Sequence, residues 1–367
     1  MKKIAFLTCG RSDFSIYLPL IKQLKRRKFH ITIIAFGSHG SDLYGDSLQE
    51  LKIAKAHEII AINSLNKRFS PNEVLLSMSS TIKKFSKVWK SRQFDLVFAL
   101  GDRFEMFAAV ASGVPYNVTF AHMHGGEKTL GAIDDVFRHS ITHMSKLHLV
   151  STNVHKRRVN DLIGNNDYKN IHNIGSISLH NISATKMLKR NNFLDGIGMP
   201  HAPYILVTIH PETIDLKMNA GLISSTLEAL DTVELNKLLT LPNNDTNSDI
   251  IRKQIAKRKG RKDYFIFESL GVDGYFNAIR HCQFMFGNSS SGIIESMHFG
   301  KYAINVGDRQ LGREANKNIL HVPANKEKII KAMGSKKLKS DAISGSDRFF
   351  VKNAPEISAK IVENYLK

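Results

Sequence analysis

Three stretches of the chain crowd residue types that move protons. They are Gly101-Asp102-Arg103-Phe104-Glu105, His122-Met123-His124-Gly125-Gly126-Glu127, and Gly131-Ala132-Ile133-Asp134-Asp135 running on to Arg138-His139. Carboxylates gathered at one place push each other's pKa values apart, which supplies an acid and a base at a single pH. Asp102, Glu127 and Asp134 are therefore candidates for general acid–base work, with His124 among them. For Asp134 and Asp135 a plainer alternative stands, N-capping of the helix that carries Arg138 and Ile141. His122, His124 and His143, with Asp102 or Glu127, raise the question of a metal. No His-Glu-x-x-His pair occurs and the spacing matches no common zinc pattern, so acid–base chemistry explains the cluster better and no metal is expected.

A second kind of chemistry is suggested by Gly287-Asn288-Ser289-Ser290-Ser291-Gly292, with Glu295 one helical turn further on. Small residues between a strand and a helix let backbone N–H groups and hydroxyls come close to phosphate oxygens, and a helix N-terminus favours negative charge. Glu295 lies too deep to cap that end and suits ribose hydroxyls. The alternative is a capped strand–helix turn, since Ser and Asn are common caps. Arg11, Arg309 and Arg313, in other loops, favour the phosphate reading, because a diphosphate needs several such donors. His210-Pro211-Glu212-Thr213 and Gly307-Asp308-Arg309-Gln310 occupy further loops of the same type.

The elements that must position these loops are short apolar runs alternating with segments of helical period, the pattern of an α/β chain with parallel sheets. Strands are predicted at 4–8, 31–36, 96–100, 117–121, 147–151 and 171–176. After a polar stretch the rhythm restarts, with strands at 204–209, 237–241, 264–267, 284–286 and 303–306 and helices at 221–230 and 292–299. The 367 residues exceed what one core usually fills. Three parts are expected: a Rossmann-like domain over 1–180 carrying the acid–base residues, a second over 181–346, and a helix within 347–367 packing back on the first. Ligands of doubly wound sheets bind beyond the carboxyl ends of strands, where every motif above falls.

Composition narrows the functional classes. The chain carries 52 Lys and Arg against 33 Asp and Glu, a formal charge of +19, and its pI is about 9.8. That balance suits nucleic acid, an anionic membrane or a polyanionic small substrate. The basic runs at 25–28 and 252–262 lack the interleaved aromatics of a single-strand binder and read as solvated helix ends, so no nucleic-acid partner is expected. No run of about 18 apolar residues occurs, so no membrane partner is expected either. The opening apolar stretch is short and ends in a polar turn, reading as a first strand rather than a leader. Cys9 and Cys282 are the only cysteines, which fits a reducing cytoplasm.

Taken in order, the loops resemble one family, the hydrolysing UDP-N-acetylglucosamine 2-epimerases of sialic and related nonulosonic acid synthesis. The resemblance runs from Gly10 to about Arg313 through Gly-Asp-Arg-Phe-Glu, His-Met-His-Gly-Gly-Glu, Gly-Ala-Ile-Asp-Asp, Thr-Ile-His-Pro-Glu-Thr, Gly-Asn-Ser-Ser-Ser-Gly-Ile-Ile-Glu and Gly-Asp-Arg-Gln-Leu-Gly-Arg. It implies a GT-B fold, two Rossmann-like domains facing a cleft. It implies UDP held through Ser289, Ser290 and Glu295, with Arg11 and His210 reaching the diphosphate. Arg103, Arg138, Asn288, Ser291, Gly292, Arg309, Gln310 and Arg313 complete the expected substrate-binding set. Asp102, Asp134 and His210 are expected to be catalytic, together with His124 and Glu127. Some members carry a catalytic glutamate where this chain has His124, which leaves open whether His124 or Glu127 does the acid–base work.

The implied reaction eliminates UDP through a 2-acetamidoglucal and adds water, releasing a free N-acetylmannosamine-type sugar. It calls for no cofactor. The resemblance also implies a homo-oligomer, dimer or tetramer. Alternatives are a hydrolysing epimerase for UDP-2,4-diacetamido-2,4,6-trideoxyglucose of the legionaminic acid route, a non-hydrolysing epimerase and a glycosyltransferase of the same fold.

Overall fold

The apolar runs become strands because a parallel sheet is covered by helices on both faces and needs no polar alternation. A computed structural model describes residues 1–40, 47–64, 70–165, 168–183, 185–242, 247–339, 343 and 346–367. Its chain divides into two units. The first comprises Met1–Glu127, Asp134–Asn181 and Phe349–Lys367, and the second Lys128–Ile133 with Ile182–Arg348. Among the described residues, no helix is long and apolar enough to cross a membrane.

The first unit holds a seven-stranded parallel sheet built from β1 (Lys3–Thr8), β2 (His30–Ala35), β3 (Glu58–Ala61), β4 (Leu96–Leu100), β5 (Phe120–Met123), β6 (Leu147–Val150) and β7 (Ile171–Asn173). Their order across the sheet is β3-β2-β1-β4-β5-β6-β7. At its centre Phe6 of β1 stacks on Phe98 of β4 with ring centroids 4.6 Å apart, and Tyr17 meets Phe6 edge-on. The helix Ala354–Tyr365 packs in this unit against the helix Arg11–Arg26, tied by Gln23 to Glu356 and Arg27 to Glu363.

The second unit repeats the plan with six parallel strands: β8 (Tyr204–Thr208), β9 (Asn236–Thr240), β10 (Tyr264–Phe267), β11 (Met285–Gly287), β12 (Ala303–Val306) and β13 (Ile319–Val322). Their order is β10-β9-β8-β11-β12-β13. Helices cover both faces, with Ile205, Val207, Leu227 and Ile304 in one apolar layer and Tyr204, Leu206, Ile279 and Met285 in the other.

Each sheet therefore reverses its winding once, at β1/β4 and at β8/β11. Such switch points are where chain connections part and a ligand finds room above the strand ends. The loops leaving these four strands carry Gly10-Arg11, Gly101-Asp102, His210-Pro211 and Asn288-Ser289. In both units the motif loops and the switch points coincide.

Several boundaries differ from expectation. The strand expected at 117–121 begins only at Phe120, because Val114–Tyr116 forms a 3-10 turn that ends on Asn117 in the left-handed region at φ +53°. The helix expected at 292–299 is split into Ser290–Ile294 and a 3-10 turn at Met297–Phe299. Strands β3 and β13 fall outside the expected set. Both lie at sheet edges and are incompletely buried, and their apolar runs are short, Ile59–Ile62 and Ile319-Leu320 before His321.

Gly287 marks the most constrained backbone of the second unit. Its φ is +127°, and a Cβ there would lie 1.9 Å from the Thr208 carbonyl oxygen. Gly221, on a helix of the same unit, has open space where a Cβ would stand, with nothing within 4 Å. Gly287→Ala is expected to destabilise the protein by at least about 2 kcal/mol. Gly221→Ala is expected to stabilise it by about 0.5–1 kcal/mol. Urea-unfolding midpoints followed by circular dichroism should move in opposite directions.

Candidate active site

In the first unit the site grows from the ends of β4, β5 and β6. Gly101 follows β4 at φ +72° and turns the chain so that Asp102 leaves the strand end. Beyond β5, His124 is itself left-handed at φ +63°, an uncommon conformation for a side-chain-bearing residue. His124 Nδ1 lies 2.7 Å from Glu127 Oε1. Ser151, the first residue after β6, donates its hydroxyl to the same Glu127 oxygen at 3.1 Å and lies 3.0 Å from His124 Nδ1. Glu127 is buried, whereas His124 keeps an exposed edge. The two candidates for one acid–base role are thus a single hydrogen-bonded group, carboxylate behind and imidazole in front.

Arg138 organises the rest. It stands one turn into the helix Asp134–His143 and is only 2% exposed. Its guanidinium donates to the Asp102 carboxylate, to Asp135 Oδ1 at 3.2 Å and to the Glu127 carbonyl at 3.0 Å. A charge this deeply buried requires partners of this kind. Arg138, expected to bind substrate, ties the Asp102 and Glu127 loops to the helix it shares with Asp135. Asp134 occupies the first position of the same helix.

The other histidines of the motif divide by environment. His122 is fully buried on β5, donates Nε2–H to the Gly101 carbonyl at 2.8 Å and places Nδ1 3.1 Å from Thr142 Oγ1. Burial pushes its pKa down to about 3, so the ring stays neutral and ties β5 to the turn before Asp102. His143 ends the helix that Asp134 begins. Two expected anion ligands have carboxylate partners within the first unit: Arg11 pairs with Glu50 at 3.2 Å and Arg103 with the buried Glu105 at 3.2 Å.

In the second unit the Ser-rich loop follows β11. Ser289 caps the helix Ser290–Ile294, accepting from the Ser291 N–H at 3.3 Å. Thr208, Tyr275, Gly287, Ser289, Gly292 and Asn305 line a small cavity beneath this loop. Burial raises the Tyr275 pKa, so its hydroxyl stays protonated as a donor. His210 follows β8, and both its backbone groups are held by the Asn288 side chain, at 2.7 and 2.9 Å. Gln310 donates to the Asn288 carbonyl at 2.9 Å and accepts from Arg313 at 2.9 Å. Glu212 accepts from the Asp308 N–H at 2.6 Å, yet its pKa is raised, burial outweighing that hydrogen bond.

The segment Lys128–Ile133 also packs in this unit. Leu130 N–H donates to the Leu311 carbonyl at 2.9 Å and Ile133 N–H to Thr213 Oγ1 at 2.9 Å. Gly131 lies so close to Asp308 that a Cβ would sit 2.2 Å from its carbonyl oxygen. Sequence reasoning misses Ser151, Asn219, Tyr275 and the role of Glu212. Ser151 alone has a readable signal, its position immediately after a strand.

Comparison with known proteins places the chain in a family. Residues 22–363 match the family model described as UDP-N-acetylglucosamine 2-epimerase. The chain is 33% identical over 334 residues to the GDP/UDP-N,N'-diacetylbacillosamine 2-epimerase (hydrolyzing) of Campylobacter jejuni, covering 87% of this chain and 84% of that protein. It is 29% identical over 373 residues to the polysialic acid biosynthesis protein P7 of Escherichia coli, covering 100% and 95%. The fold is that of the UDP-GlcNAc 2-epimerase from Neisseria meningitidis solved with UDP-GlcNAc, at a TM-score of 0.79 and 14% identity over 99% of this chain and 100% of that one. Two parallel sheets with interleaved helices, and a family match spanning nearly the whole sequence, place this chain in the UDP-N-acetylglucosamine 2-epimerase family.

Proposed function

We propose that the protein is a hydrolysing 2-epimerase acting on a UDP-2-acetamido sugar, with UDP-N-acetylglucosamine as the leading substrate. The observation that carries this reading is the acid–base group of the first unit: Asp102 on the buried Arg138, beside the His124–Glu127 pair. The Campylobacter relative, named as a hydrolysing enzyme, supports the hydrolytic outcome. It also motivates a second reading, in which the sugar is a 2,4-diacetamido-2,4,6-trideoxyglucose.

The chemistry follows from the weak acidity of the C2 hydrogen. A base takes that proton as the C1–O bond breaks and UDP leaves, giving a 2-acetamidoglucal. Water then adds its oxygen to C1 while a proton is delivered to C2 on the opposite face. The products are UDP and the free C2-inverted sugar, so one water is consumed and no electrons change hands. Two-faced proton traffic needs two acid–base groups. Asp102 and Asp134 are assigned to this traffic together with the His124–Glu127 pair, in which Glu127 orients the ring and His124 meets the substrate.

The second unit is assigned the UDP. Ser289, Ser290, Ser291 and Gly292 offer small side chains and hydroxyls to the phosphates, Glu295 the ribose, and Arg309 and His210 the developing charge on the leaving diphosphate. The hydroxyl-bearing Thr208, Tyr275 and Ser289 that line the cavity support a polar ligand at this loop. Arg11 is assigned to the diphosphate as well.

Incubation with UDP-N-acetylglucosamine is expected to release UDP and a reducing sugar in equal amounts; a product that retains its nucleotide would contradict hydrolysis. The 2,4-diacetamido sugar assayed alongside decides between the two substrates by kcat/KM. Asp102→Asn and Asp134→Asn should each lower kcat by about 100-fold or more while UDP affinity, measured by calorimetry, stays within a few-fold. Near-normal turnover in either would remove that carboxylate from the mechanism. Treatment with a chelator should leave the rate unchanged, and a loss restored by a divalent ion would redirect the chemistry to a metal.

A further inference from the structure

His210 lies two residues beyond the last ladder position of β8, where no neighbouring strand is available to its backbone. One side chain takes the place of that strand. The His210 N–H donates to Asn288 Oδ1 at 2.7 Å, and Asn288 Nδ2 donates back to the His210 carbonyl at 2.9 Å. Asn288 is 1% exposed, so water does not compete for either bond. Its own backbone is anchored on both sides, N–H to the Thr208 carbonyl at 3.1 Å and carbonyl to Gln310 Nε2 at 2.9 Å. Gln310 is fully buried, and Arg313 donates to its Oε1 at 2.9 Å.

The device is repeated two residues on. Asn219, also fully buried, accepts from the Glu212 N–H at 2.8 Å and donates to the Glu212 carbonyl at 2.8 Å. Pro211 between them has no N–H to satisfy. Every backbone donor from His210 to Glu212 is thus fixed by a buried carboxamide, in a loop that could otherwise take many conformations. A carboxamide suits the task because it offers a donor and an acceptor side by side on one rigid plane, without a charge to bury.

We propose that Asn288, backed by Gln310 and Arg313, is a positioning residue that fixes the backbone of His210 and through it the imidazole. This deepens the reading of the protein as a hydrolysing epimerase and rests on it for the role of His210 in turnover. It also gives Asn288 and Gln310 work other than touching the nucleotide.

Asn288→Leu removes both hydrogen bonds at similar volume, Asn288→Asp retains only the bond from the His210 N–H, and Gln310→Leu removes the support behind. With UDP-N-acetylglucosamine as substrate, Asn288→Leu is expected to lower kcat by about 100-fold, the cost of a misplaced catalytic group, and Asn288→Asp by about 10-fold. UDP affinity by calorimetry should stay within a few-fold in both. In the full chain with labelled histidine, the His210 ring resonances should shift and broaden in Asn288→Leu and, less, in Gln310→Leu. Wild-type kcat in Asn288→Leu, or equal loss of kcat and UDP affinity in Asn288→Asp, would overturn the proposal. Should the wild type release no UDP from either sugar, the epimerase reading fails. The resonances then still decide the positioning role, unchanged His210 signals in both Asn288→Leu and Gln310→Leu overturning it.

Discussion

A buried guanidinium is the constraint on which the carboxylate and histidine cluster of the first unit depends. Arg138 cannot be withdrawn from water without acceptors, and the fold supplies three of them, Asp102 and the Glu127 carbonyl from two loops and Asp135 from its own helix. A lone buried charge would cost several kcal/mol. The loops that carry Asp102 and Glu127 are therefore bound to each other and to the helix of Arg138 and Asp135 by a single group that none of them can lose cheaply. Geometry between residues far apart in sequence is thereby enforced by electrostatics rather than by the stiffness of any one loop.

The second unit solves the same problem without charge. Asn288 and Asn219 replace missing ladder partners with neutral amides, and the chain bearing His210 is held by hydrogen bonds alone. Neutral clamps rigidify the loop without adding a charge of their own to it. The strained backbone at His124 fits the complementary logic of the first unit. A left-handed histidine is tolerated where Glu127 and Ser151 hold its ring.

Much of this is legible in the sequence. Parallel strands covered on both faces print themselves as apolar runs, and β4, β10 and β12 have the very bounds that those runs predict. The edge strands β3 and β13 are harder to read, since their apolar runs are short and β13 is interrupted by the exposed His321. The motif loops are legible because glycine, histidine and carboxylate clusters after a strand have few uses other than chemistry. Partnership is not. Nothing in the spacing of Arg138 says that it meets Asp102, which is 36 residues away, nor does anything in Asn288 announce His210. Side-chain pairing across loops is set by the winding order of the sheets, which sequence periodicity does not encode. The charge of +19 promises more than it delivers, for Arg252, Arg258 and Arg261 lie in surface ion pairs with Glu268 and Asp231.

The division of the chain carries a consequence for heredity and handling alike. Neither unit is one uninterrupted stretch: the first is completed by Phe349–Lys367, and the second takes in Lys128–Ile133. A gene cut near residue 182 therefore delivers a first half lacking its closing helix and a second half lacking its inserted segment. Shuffling of halves between relatives, which simple two-module enzymes permit, is penalised here twice.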